Sequence, residues 1–204
     1  MQTARNHTLA FTLLLLLLSA PRAAAARPQR DLLRSWCAQA RYPVLCVQTL
    51  SNSSNLATKP LDLAQAAVKV SLSHARTLFL YFSALNATSS RFGQRQRVAV
   101  SDCVEQISDS LTQLRKTLNE LQHLRAGTFQ WQMSNAQTWT SAALTNGDTC
   151  LTGFNEGVGG GDGKLKMEVK LRVRDVAMIT SNALYLINRL SDSVSGKPRT
   201  NFRN

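Results

Sequence analysis

Apolar residues recur at spacings of three and four over four long stretches of this chain, and that spacing predicts amphipathic helices. The apolar stripes run from Leu61 to Leu85, from Val100 to Leu124, from Met133 to Leu144 and from Val169 to Val194. Pro60 suits the first turn of the first helix, and Gly127 and Gly196 mark the ends of the second and fourth. Asn146-Gly147-Asp148 predicts a break or tight bend in the third. No strand pattern competes, so we expect an all-α, antiparallel four-helix bundle over 59–195.

A shorter unit, residues 27–58, precedes the bundle. Apolar positions up to Trp36 and Cys37 fall on one helical face, and a second apolar pattern begins after Tyr42-Pro43. Proline removes a backbone donor and restricts the residue before it, so this dipeptide predicts a turn between two short helices. Such an N-terminal helical hairpin places Cys37 and Cys46 close enough to form a disulfide.

The chain begins with the features of a secretory signal peptide, which we place at residues 1–26. Arg5 precedes an apolar run from Leu9 to Leu18, and Ala24 and Ala26 fit the cleavage site. The run is shorter than the roughly 20 residues that span a bilayer. We therefore expect a secreted chain with one domain, 27–204, that has no membrane segment after cleavage and a frayed basic tail over 196–204.

In a secreted chain, four cysteines indicate disulfides, and they allow three connectivities. A bridge between Cys103 and Cys150 would tie the second long helix to the third. Two N-x-S/T sequons, at Asn52 and Asn86, are candidate glycosylation sites outside the signal peptide. The run from Gly157 to Gly163 predicts a flexible link before the fourth helix.

The net charge of +12 comes from 24 basic and 12 acidic side chains. A basic secreted protein can meet nucleic acid, anionic lipid or acidic polysaccharide, or be basic only for solubility and weak wall retention. The secretory compartment and an aromatic content of 6% argue against nucleic acid. His74 and His123 have no partner at a catalytic spacing, and no nucleophile elbow, P-loop or zinc-protease motif is present. The sequence therefore predicts a protein that is not an enzyme and has no metal or cofactor.

Three motifs together carry a family resemblance. The Cys37/Cys46 pair encloses Tyr42-Pro43, D-C-V-E-Q-I-S-D-S-L follows from Asp102, and T-W-T-S-A-A-L-T precedes the T-C that ends at Cys150. From about residue 31 to 194 the chain resembles the plant invertase and pectin methylesterase inhibitors. The resemblance implies a four-helix bundle behind a helical hairpin, disulfides from first to second and from third to fourth cysteine, and a monomer when free. Members act by protein–protein contact on cell-wall carbohydrate enzymes in the apoplast.

The resemblance favours the pectin methylesterase branch. The invertase branch carries a Pro-Lys-Phe motif that is missing here, whereas A-Q-T-W-T-S-A-A-L-T is similar to the methylesterase inhibitors. It implies a 1:1 complex in which the inhibitor covers the pectin-binding cleft of the esterase. Carried over by position relative to the cysteines, the candidate contacts are Glu105, Asp109, Thr112, Gln113 and Thr149.

Two alternatives stay open at this point. The first is an inhibitor of acid invertase on the same scaffold. The second is a wall protein that binds acidic pectin without inhibiting either enzyme. This second alternative rests on basic side chains between the first and second long helices and around the start of the fourth: Arg91, Arg95, Arg97, Lys164, Lys166, Lys170, Arg172 and Arg174.

Overall fold

The computed structural model describes residues 23–51, 57–157 and 163–196, and nearly all of them are helical. The helices are α1 (Ala23–Cys37), α2 (Pro43–Ser51), α3 (Pro60–Ala87), α4 (Gln94–Gln122), α5 (Phe129–Gly157) and α6 (Gly163–Ser195). Two single 3-10 turns, Ser89–Arg91 and Ala126–Thr128, lie between the long helices. Most of the predicted signal peptide and tail, the centre of the glycine-rich link and Asn52 lie outside the described residues. The expected all-α fold is confirmed.

The four long helices form a ring in which α3 packs on α4 and α6, and α5 packs on the same two helices. His74 on α3 meets Asp175 on α6, while Tyr81, seven residues later, meets Arg172, so these two helices are antiparallel. The apolar stripes face inward, as predicted. One half of the core contains Phe82, Val100, Ile107, Phe154 and Val169, and the other contains Leu33, Trp36, Val68, Leu121, Met133 and Ile187.

The helix ends follow the local sequence signals. Pro60 occupies the first turn of α3. The carboxylate of Asp62 accepts the backbone N–H groups of Thr58 and Lys59 at 3.1 and 2.9 Å, which satisfies donors just ahead of the helix. Gly196 has a φ of +65°, a conformation that L side chains rarely adopt, and it ends α6.

The predicted break at Asn146-Gly147-Asp148 is wrong, because α5 runs through these residues without interruption. Gly147 is a buried position facing α6, where a Cβ atom would lie 3.7 Å from Cγ1 of Val173. The Asn-Gly-Asp signal is a local preference for a turn. Packing of α5 along its whole length against two neighbouring helices outweighs that preference.

The N-terminal hairpin is held against the bundle by a buried amide. Cys37 and Cys46 are bonded, with a Cα–Cα distance of 5.7 Å, and fix α1 to α2 across the turn. In that turn the N–H of Tyr42 donates to Oδ1 of Asn182 at 3.0 Å, and Nδ2 of Asn182 donates to the Tyr42 carbonyl at 2.9 Å. Asn182 lies on α6 and is 3% exposed, and it satisfies the Tyr42 N–H, which lies ahead of α2. The Tyr42 carbonyl accepts a second hydrogen bond from the Cys46 N–H at 2.9 Å.

A second anchor comes from Arg189, also on α6. Its Nη1 donates to the carbonyls of Ser35 and Trp36 at 2.7 and 3.0 Å, at the end of α1. Its guanidinium carbon lies 4.5 Å from the centre of the Trp36 ring, within the range of a cation–π contact. The hairpin is therefore attached to α6 by polar contacts in addition to the apolar core.

Candidate enzyme-contact face

The candidate contacts lie on α4 and α5, which the second disulfide holds close together. Cys103 on α4 and Cys150 on α5 are bonded, with a Cα–Cα distance of 4.6 Å. Both cysteines are buried. The bridge fixes the register of the two helices at the end where α4 begins and α5 approaches its C-terminus.

Buried hydroxyls continue this contact along the helices. The Ser110 hydroxyl on α4 donates to the Ala143 carbonyl on α5 at 3.0 Å. Further along, the hydroxyls of Thr117 and Thr140 lie 3.2 Å apart, and both residues are fully buried. The small side chains allow the helix backbones to approach closely. Each hydroxyl also lies within hydrogen-bond distance of a carbonyl oxygen four residues earlier in its own helix, so it is satisfied inside the core as well as linking α4 to α5.

The other end of the pair is held by Gln132 on α5. Its Nε2 donates to Oε2 of Glu120 on α4 at 2.9 Å, and its Oε1 accepts the N–H of Arg125 at 2.8 Å. Asn135 donates to the second oxygen of the same Glu120 carboxylate at 3.1 Å. Hence α4 and α5 are joined at both ends and in the middle, and their outer surface is a rigid platform.

Three of the predicted contact residues are exposed on that platform. Glu105, Asp109 and Thr112 lie on the solvent side of α4 at spacings of four and three, which places them on one face. Within the described parts of the chain, neither carboxylate forms a hydrogen bond or ion pair. The Thr112 hydroxyl donates to the Ser108 carbonyl at 3.2 Å. The two carboxylates are therefore available to a partner.

The other two predicted contacts differ from each other. Thr149 is exposed on α5, and it directly precedes Cys150, whose bridge brings it to the end of α4 that carries Glu105. Gln113 is only half-buried on α4, and its Oε1 is covered without a hydrogen-bond partner among the described residues. Gln113 lies one turn before Thr117, whose side chain faces α5, so part of Gln113 points towards the helix contact.

Sequence reasoning missed Asp102 as a part of this surface. Asp102 is exposed one turn before Glu105, so Asp102, Glu105 and Asp109 form an acidic stripe on α4. The sequence of α5 contains no lysine or arginine between 129 and 157. In a chain with a net charge of +12, an acidic stripe is a local exception. The same i, i+3, i+7 spacing that identifies helix faces could have found it. We call Glu105, Asp109, Thr112, Gln113 and Thr149, with Asp102, the α4–α5 face.

Outside the α4–α5 face, we looked among the described residues for a catalytic histidine, a metal site and a membrane-spanning helix. The His74 ring contacts the Asp175 carboxylate at 3.2 Å, and Nδ1 of His123 lies 2.8 Å from the Asn119 carbonyl oxygen. Among the described side chains, no three histidine, cysteine, aspartate or glutamate residues converge as a metal site would require. Of the helices that are described, none is long and apolar enough to cross a membrane.

Comparison with known proteins gives one consistent result. A family model described as plant invertase/pectin methylesterase inhibitor matches residues 31–186. Pectinesterase inhibitor 3 of Arabidopsis thaliana is 49% identical over 174 residues, which cover 82% of this chain and 82% of that protein. Pectinesterase inhibitor 9 of Arabidopsis thaliana is 38% identical, over 92% of this chain and 96% of that protein.

Solved structures share the fold. A mutant form of a pectin methylesterase inhibitor from Arabidopsis superposes with a TM-score of 0.58 at 18% identity, over 74% of this chain and 92% of that one. A pectin methylesterase inhibitor from Arabidopsis thaliana superposes with a TM-score of 0.53 at 18% identity, over 83% and 98% of the two chains.

Proposed function

The chain belongs to the plant invertase/pectin methylesterase inhibitor family, and from that premise we propose that it is a protein inhibitor of pectin methylesterase. The observation that carries the proposal is the 49% identity to a protein named pectinesterase inhibitor, spread over 82% of both chains. The chain acts by binding rather than by catalysis. It covers the pectin-binding cleft of the esterase in a 1:1 complex.

The outer surface of α4 and α5, which contains the α4–α5 face, has the size that such a complex needs. α4 and α5 contain 29 residues each, so each is about 43 Å long at 1.5 Å per residue. A standard protein interface covers about 800 Å² on each partner. Two parallel ridges of this length supply that area without any change in the backbone.

Rigidity and free polar groups favour the same face. The disulfide and the buried hydroxyl contacts between α4 and α5 fix the platform before it binds, so little conformational entropy is lost on association. Glu105 and Asp109 have no internal partner to give up. They can accept hydrogen bonds or pair with cations at the rim of the enzyme's cleft, while Thr112, Gln113 and Thr149 extend the polar contact.

We place the inhibitor outside the cell, in the plant cell wall. Both disulfides are formed, and disulfides persist in oxidising compartments such as the extracellular space. The signal peptide expected from the sequence gives the same compartment. This is also where a pectin methylesterase meets its substrate.

Titration of two enzymes tests the proposal. Purified chain 27–204 is added to a plant pectin methylesterase and, separately, to a plant acid invertase. We expect complete loss of esterase activity near an equimolar ratio and unchanged invertase activity. Light scattering after gel filtration should show one inhibitor for each esterase. Inhibition of the invertase alone would support the alternative target, and inhibition of neither enzyme would contradict the proposal.

A further inference from the structure

Exposed cations collect at the end of the bundle where α3 finishes and α4 and α6 begin. Phe92, ahead of α4, and Leu165, in the first turn of α6, pack on the same core cluster, which brings these two segments together. Six basic side chains around them are exposed, and we call them the cationic end: Arg91, Arg95, Arg97, Lys164, Lys170 and Arg174.

The charges of the cationic end are not compensated within the described residues. The two carboxylates in the first half of α6 are engaged elsewhere: Glu168 pairs with Arg172 at 2.9 Å, and Asp175 pairs with His74 at 3.2 Å. None of the six cations forms an ion pair with a described carboxylate. Such a cluster produces a positive potential that attracts an anionic partner.

The α6 part of this surface also exposes apolar side chains. Met167 and Leu171 are 55% and 59% exposed. They lie between Lys164 and Arg174 at spacings of three and four, so the four residues form one stripe on the helix. At 1.5 Å per residue the stripe is about 15 Å long. Two cations with apolar surface between them over this length fit an extended polymer better than a small ion.

We propose that the cationic end binds partly de-esterified pectin, through residues other than those of the α4–α5 face. The identity of the polymer rests on the proposed function. A pectin methylesterase hydrolyses methyl esters to carboxylates and methanol, so its product carries anionic groups beside remaining apolar methyl esters. Both features are complementary to the stripe of Lys164, Met167, Leu171 and Arg174. The inhibitor is thereby retained where esterase has already acted.

The two sites lie at the same end of the bundle but differ in charge. Asp102, Glu105 and Asp109 repel an anionic polymer, whereas the cationic end attracts it. A chain held on pectin by the α6 side chains of the cationic end therefore leaves the acidic stripe of α4 open. Polymer binding and esterase binding can then occur on one molecule at the same time.

Binding to pectins of defined esterification tests this site. Chain 27–204 is measured against immobilised polygalacturonate and against fully methyl-esterified galacturonan. The variant is Lys164→Gln with Lys170→Gln and Arg174→Gln. The matched control removes the same charge from exposed residues at the opposite end: Arg30→Gln, Arg34→Gln and Arg125→Gln. Circular dichroism confirms that both variants are folded.

We expect wild type to bind polygalacturonate and to bind the methyl-esterified polymer much more weakly. Polyanions release counterions on binding cations, so raising NaCl from about 50 to about 200 mM should weaken binding roughly tenfold. The variant should bind about tenfold more weakly than wild type, and the control within about twofold of it, a difference of about 1.4 kcal/mol. Equal losses in variant and control, equal binding to both polymers, or stronger binding to phosphatidylserine vesicles would each overturn the assignment.

An esterase inhibition assay on the same three proteins separates the two proposals. The variant should keep the inhibition constant of wild type, because its substitutions lie outside the α4–α5 face. A chain that binds polygalacturonate but does not inhibit would refute the proposed function alone. A chain that inhibits but does not bind polygalacturonate would refute this inference alone.

Discussion

Loss of the Cys103–Cys150 bridge should destabilise the chain more than loss of Cys37–Cys46. The perturbation is a pair of alanine substitutions, Cys103→Ala with Cys150→Ala, compared with Cys37→Ala and Cys46→Ala. The bridges span 47 and 9 residues. In the chain-entropy model these loops correspond to about 4 and about 2.6 kcal/mol of unfolding free energy at 25 °C. All four cysteines are buried to a similar degree, so the cost of the cavity is comparable in the two variants.

Urea unfolding followed by circular dichroism at 222 nm measures both losses. The same samples are assayed for esterase inhibition, because the long bridge holds Thr149 beside the start of α4. We expect the Cys103/Cys150 variant to remain helical, since the hydroxyl contacts of Ser110 and Thr117 persist, but to inhibit more weakly. A loss no larger than that of the Cys37/Cys46 variant would refute the loop-length reasoning. Full inhibition by the folded variant would refute the role of the bridge in fixing the face.

Three further substitutions test single contacts. Asn182→Ala leaves the Tyr42 N–H without its partner and should lower the free energy of unfolding in urea by about 1–3 kcal/mol. An unchanged midpoint would contradict the anchor. Gly147→Ala should raise the free energy of unfolding by up to about 1 kcal/mol, because alanine favours a helix and its Cβ would lie at an ordinary contact distance of 3.7 Å from Val173. A lower free energy of unfolding would show that α5 needs glycine at this position. Burial, followed by the charge of Glu168, raises the pKa of Tyr81, so the unfolded chain loses this proton first and stability should fall as pH rises above about 10. In the Tyr81→Phe variant the thermal midpoint should fall less steeply with pH above about 10. Equal slopes for variant and wild type would refute the assignment of this pH dependence to Tyr81.

The hydrophobic period predicted the helices well because each long helix buries one continuous stripe. The same reasoning failed at Asn146-Gly147-Asp148, where a turn signal lies inside a helix that packs along its whole length. It also missed the anchor from Asn182 to Tyr42, whose partners are 140 residues apart in the chain. Hydrogen bonds over such separations depend on how the helices are placed, and a one-dimensional pattern does not contain that placement.

The candidate site, like the fold, was predictable where it depends on spacing along one helix and not where it depends on contact between helices. Periodicity alone places Glu105 and Asp109 on one exposed face of α4, and the structure has them there. The half-burial of Gln113 was not predicted, because it follows from the close approach of α5 rather than from the spacing on α4. That close approach depends on Ser110, Thr117 and other small polar residues, whose hydroxyls look unfavourable in a core until their partners are known.

The inhibition constant for a plant pectin methylesterase tests the central claim most directly. Wild-type chain is compared with Glu105→Gln/Asp109→Asn and with a control, Asp31→Asn/Asp192→Asn, that neutralises two exposed carboxylates away from the α4–α5 face. We predict that wild type inhibits, that the first variant inhibits at least about tenfold more weakly, equivalent to about 1.4 kcal/mol, and that the control stays within about twofold of wild type. An inactive wild type, or equal inhibition by both variants, would contradict the account.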